Sequence, residues 1–92
     1  MQLLVKKHSY ERSPTLDTVL MIERTIEQYS GEFNRTELWK RLLRKVMWQT
    51  FLVVLEYLQS INKIAIDSQG KIGYIWSPEA AKKFAKRKRI RL

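Results

Sequence analysis

The sequence has no cysteine and only one histidine, His8, in 92 residues. Disulfides, thiol chemistry and cysteine-ligated metal are excluded, a His pair for a metal cannot be assembled, and His8 reads as a surface side chain of the leader rather than as a catalytic base. Glycine occurs three times, at Gly31, Gly70 and Gly73, too sparsely for a phosphate-cradling loop of either nucleotide-binding type. Long hydrophobic runs are missing as well: the longest covers residues 51–55, far short of the ~20 residues of a membrane span. The opening Met1-Gln2-Leu3-Leu4-Val5-Lys6-Lys7 is too brief for a signal peptide and places its apolar stretch before its charges. Of the nine acids, Glu23 and Glu27 stand one helical turn apart, a spacing that more often makes a solvated or ion-paired face than an acid/base dyad. The expectation is a cytoplasmic non-enzyme with no cofactor, no metal and no membrane partner.

What the chain does have is an excess of cations. Hydrophobic residues make up 45% and charged residues 29%, which is globular composition, and 18 Lys plus Arg against 9 Asp plus Glu leave a net charge of +9. So large a charge on a domain of this size points to a polyanionic partner. It is unevenly placed: from Ser77 onward there are seven cations (Lys82, Lys83, Lys86, Arg87, Lys88, Arg89 and Arg91) against one acid, Glu79. The chain divides into a leader at 1–13 with room for a strand at 3–5, a nearly balanced globular part at 14–76, and a basic helix and tail at 77–92.

Hydrophobic spacing predicts a first helix over 15–29, with Val19, Ile22, Ile26 and Tyr29 in line and Leu16 and Leu20 widening the face, entered at Pro14 and stopped at Gly31. Asn34 followed by Glu37 reads as a capping box, with Phe33 and Leu38 as its hydrophobic staple, for a second helix over 35–43. After a break near Arg44-Lys45, a third helix over 47–61 turns Met47, Phe51, Val54, Leu55, Leu58 and Ile61 inward. Gln49, Val53, Glu56 and Ser60 face outward, with Trp48 and Leu52 on one flank. The period then becomes two, through Ile64 and Ile66, a turn at Asp67-Ser68-Gln69-Gly70, and Ile72, Tyr74 and Trp76: a β-hairpin. Ser77-Pro78-Glu79 opens a short helix through Ala80, Ala81, Phe84 and Ala85, with residues 86–89 expected to fray.

This order, α+β but mainly α, resembles the winged helix-turn-helix fold of small bacterial and archaeal transcription regulators. The resemblance rests on the capped second helix, on Val46-Met47-Trp48-Gln49-Thr50 opening the third, on Leu55 and Leu58, and on the hairpin as a wing, about two thirds of the chain. It implies three helices, a wing and a basic C-terminal helix, and it makes the third helix the one that enters the major groove of double-stranded DNA. Trp48, Gln49 and Thr50 would then meet base edges or sugars, although Trp48 equally suits partial core packing. Phosphate contacts would come from Arg35, Thr36, Lys40, Arg41, Arg44 and Lys45, from Ser68, Gln69 and Lys71 at the wing tip, and from Lys82, Lys83, Lys86, Arg87, Lys88 and Arg89. A homodimer fits the resemblance, through the first helix or the apolar flank of the third. The alternative is a module that docks on a protein partner through the exposed third helix, because that face has no cation and carries Glu56 beside Val53.

Overall fold

Helix α1, Leu16–Gln28, begins where Thr15 in extended conformation accepts the Thr18 backbone N–H on its hydroxyl at 3.2 Å, with Asp17 in the first turn matching the helix dipole. The computed structural model describes residues 14–88 of the chain and the side chains of 14–86. The leader 1–13 with its expected strand and His8, together with Arg89, lies outside them. Ile22 and Ile26 of α1 are fully buried, and removing each side chain from water is worth about 1.5–3 kcal/mol. Leu16 and Leu20, expected on the same face, are exposed instead. On a 100° wheel they stand about 120° and 160° from Ile22, beyond the stripe the rest of the chain covers.

Helix α2, Arg35–Lys40, is opened by the expected capping box: Asn34 Oδ1 accepts the Glu37 N–H at 2.9 Å and Glu37 Oε1 accepts the Asn34 N–H at 3.0 Å. It stops three residues before the expected end. The Trp39 indole N–H donates to the Val46 carbonyl at 2.7 Å and turns the chain back on itself, so Leu42 is half-buried and Leu43 stands 88% exposed. Helix α3, Trp48–Ser60, buries Phe51, Val54, Leu55 and Leu58. Met47, expected in the core, is the N-cap and is 60% exposed, because its extended backbone points the side chain away from the stripe that starts one turn later. At the far end Asn62 takes a left-handed φ of 61° while the Lys63 N–H reaches the Leu58 carbonyl and the Asn62 N–H reaches that of Gln59. This double bond pattern satisfies the last carbonyls of α3 and aims the chain into the hairpin.

Strands β1, Ile64–Ile66, and β2, Ile72–Tyr74, pair antiparallel with Ile64 opposite Tyr74 and Ile66 opposite Ile72. Asp67 makes the turn by accepting the Gln69 and Lys71 N–H groups on Oδ1, and Gly70 occupies the required positive φ of 82°. Trp76 falls beyond the strand and is exposed, its ring under the Lys63 ammonium at 4.8 Å. In an antiparallel pair alternate backbone groups point away from the partner, and those of β2 find a second neighbour. The Ile72 carbonyl accepts from Gly31, the Ile72 N–H donates to the Phe33 carbonyl, and the Tyr74 N–H donates to the Ser30 hydroxyl. The segment joining α1 to α2 thus lies along the outer side of β2, which the hydrophobic pattern did not reveal.

Helix α4, Pro78–Lys88, starts from Ser77, whose hydroxyl accepts the Ala80 N–H at 3.1 Å. It is longer than expected and continues through residues thought to fray. Phe84 is 1% exposed and its ring lies on Gly73 of β2, where a Cβ would collide with it. Among the described residues, therefore, four helices and one hairpin surround a core of α1, α2, α3 and hairpin side chains, and α4 is packed onto β2. No helix among them is long and apolar enough to cross a membrane.

Candidate nucleic-acid interface

Between Phe33 and Thr50 the sequence carries five cations, Arg35, Lys40, Arg41, Arg44 and Lys45, and one acid, Glu37. All five cations are exposed, and Lys40, Arg44 and Lys45 have no ion-pair partner among the described residues. The Arg41 guanidinium carbon lies over the Phe33 ring, 4.2 Å from its centroid, which restrains the group at the surface. Lys40, Arg44 and Lys45 converge on one groove, shared with Trp39, Leu42, Val46 and Met47.

The turn carrying these cations is braced by aromatic packing. Trp39 meets Trp48 edge-on at 5.2 Å, and Trp48 lies 5.7 Å from Phe51, so a chain of three rings ties α2 to α3. Trp48 is half-buried in this stack. That is the partial core packing the sequence allows for Trp48, and part of its ring stays at the surface. Gln49 is exposed and Thr50 half-buried at the first turn of α3, and Met47 gives that helix no side-chain cap.

Other expected contacts are differently placed. Arg35 and Thr36 are exposed at the start of α2, but the Glu37 carboxylate already occupies that anion-favouring end. The Asn34 backbone N–H, with Lys71 adding to it, holds the Glu37 carboxyl below its usual range. Lys71 of the hairpin is committed to Glu37 at 3.5 Å, while Ser68 and Gln69 are exposed at the turn. Lys82, Lys83 and Lys86 line a separate cleft of about 1150 Å³ between α1 and α4, together with Glu27 and Glu79. Arg87 and Lys88 belong to α4.

Two details had no signal in the sequence: the partners that Glu23 finds and the exposure of Tyr57. Glu23, on the α1 face expected to be solvated or ion-paired, is only 9% exposed and accepts from Lys63 Nζ at 2.9 Å and from the Tyr74 hydroxyl at 3.1 Å. These partners lie 40 and 51 residues away along the chain. The outer face of α3 also shows Val53 and Tyr57 about half exposed, beside the exposed Glu56. Among the described residues no group of three or more His, Asp or Glu side chains stands close enough to hold a metal ion. Neither family models, nor curated proteins, nor solved structures give a match to this chain.

Proposed function

We propose that the chain is a winged-helix protein that binds double-stranded DNA and regulates transcription, with α3 at the major groove and the α2–α3 turn on the phosphates. The observation that carries this reading is the set of exposed cations Lys40, Arg44 and Lys45, without ion-pair partners among the described residues, gathered at one turn immediately before an α3 start that has no side-chain cap. Anionic oxygens are favoured at such a helix end by its free N–H groups and its dipole, and the neighbouring ammonium and guanidinium groups add to the attraction. The attachment of residues 30–33 along the outer side of β2 supports the winged-helix assignment, because it roots the hairpin beside the segment that joins the first two helices. A homodimer belongs to the same reading: Leu16 and Leu20 on α1 offer exposed apolar surface to a second copy, which would present two reading heads to paired half-sites.

In this reading base choice falls to Gln49 and Thr50, with the exposed part of the Trp48 ring against sugars. Selection from random duplexes at ~150 mM salt against heparin should give a consensus, each good side-chain pairing with a base being worth about 1–3 kcal/mol of discrimination. The Gln49→Ala/Thr50→Ala variant should lose that consensus while retaining nonspecific affinity within about threefold. No consensus from the parent protein would favour the second reading, a protein-docking module. That reading draws on the outer face of α3, where Val53 and Tyr57 are exposed, Glu56 would repel phosphate, and no cation is present.

A further inference from the structure

The groove at the α2–α3 turn has a floor that phosphate binding does not require. Its volume is about 530 Å³, and its apolar lining is Trp39, Leu42, Val46 and Met47. Lys40, Arg44 and Lys45 complete the lining, so its charge is wholly positive. We propose that this groove captures a short acidic peptide segment of a partner protein, seating one large apolar side chain on the floor while flanking carboxylates meet the three cations.

The occupant follows from shape and charge. A duplex shows phosphate ridges on its outside and carries its thymine methyl groups inside the major groove, so it has no projecting apolar group to fill a hollow. A peptide side chain is such a group. The groove is built from one stretch, residues 39–47, and stands open to solvent, so it can cover part of a chain but cannot enclose a small ligand as a closed pocket does. Charge complementarity then fixes the sign: carboxylates on the segment gain from Lys40, Arg44 and Lys45, and a basic or neutral segment does not. Leu43 at 88% exposure adds apolar surface next to the lining residue Leu42. If the duplex reading holds, peptide and DNA use the same three cations and exclude one another, which makes the peptide an antagonist of DNA binding.

The probe is a fluorescein-labelled hexapeptide with two aspartates, a leucine–phenylalanine pair and two glutamates, titrated with the full chain in the absence of DNA. Saturable binding is expected. It should weaken at least about tenfold with Met47→Glu, a change at an exposed side chain, and also when the central pair of the peptide becomes two serines. Trp76→Glu, about as exposed beyond β2, should leave it unchanged, and circular dichroism of both variants confirms that they fold. Equal binding of the serine peptide, equal loss with Trp76→Glu, or no binding overturns the proposal. So does a Met47-dependent association with anionic vesicles or with a 20-base-pair duplex in place of the peptide. Failure of duplex binding alone leaves the peptide result standing, so the two readings fail separately.

Discussion

Phe84→Ala is expected to destabilise the protein by about 3–5 kcal/mol in urea unfolding followed by far-ultraviolet circular dichroism. The ring is 1% exposed and rests on Gly73, so truncation removes its buried surface and leaves a cavity on β2 that the short hairpin cannot close. For a domain this small such a loss is a large part of the whole stability. Phe84→Leu keeps most of the volume and should cost about 1–1.5 kcal/mol. Gly73→Ala should destabilise through the opposite fault, since its methyl group meets the Phe84 ring. An unchanged midpoint for Phe84→Ala would mean that α4 is not held to the hairpin in solution.

The second large effect is expected at Glu23. Lys63→Met removes the ammonium 2.9 Å from a carboxylate whose side chain is 12% exposed, and the stranded charge should cost about 2–3 kcal/mol, less than for a fully dry pair because Lys63 is 23% exposed. Glu23→Leu combined with Lys63→Met should return to within about 1 kcal/mol of the parent, because no charge is then left without its partner. The same cluster governs Tyr74. Burial first, and then the Glu23 carboxylate, push its phenol up from 10.0 to about 12. The folded state thus favours the neutral phenol: its contribution is complete below pH 10 and is lost as the pH rises toward 12. Absorbance titration at high pH should show a late-ionising tyrosine that Tyr74→Phe abolishes. If Lys63→Met is neutral, the ion pair contributes nothing.

How much of this was legible in the sequence depended on range. The Asn34–Glu37 box, the Gly31 and Gly70 turns and the Phe51, Val54, Leu55, Leu58 stripe are local patterns, and each is found where the sequence places it. The end of α2 was misread because Leu42 and Leu43 continue a helical pattern, while the bond that stops the helix joins Trp39 to Val46. Helix α4 is expected from its cap, but its burial is not legible: its apolar residues are alanines and one phenylalanine, and nothing nearby announces that Gly73 leaves a space for that ring. Glu23 was ambiguous for the same reason. At the candidate site the cations were readable from composition. The groove they share was not, since its floor depends on the turn that the Trp39 indole holds in place.

The interface reading also explains a contrast within the chain. Helix α3 has no cation of its own, and the positive charge sits before it, on α2 and the turn. Affinity and choice are therefore assigned to different residues: Lys40, Arg44 and Lys45 to phosphates, Gln49 and Thr50 to bases. Such a division separates loss of binding from loss of preference, and the two can be measured independently.

The most direct measurement is the affinity for a 20-base-pair duplex, by fluorescence anisotropy, across a series of potassium chloride concentrations. Release of counterions from ~6 to 8 phosphates predicts a log-log slope of about −5 to −7, which Lys40→Ala/Arg44→Ala/Lys45→Ala should reduce in size by about 3. A parent slope near zero, or a triple variant with the parent's slope, would contradict the account.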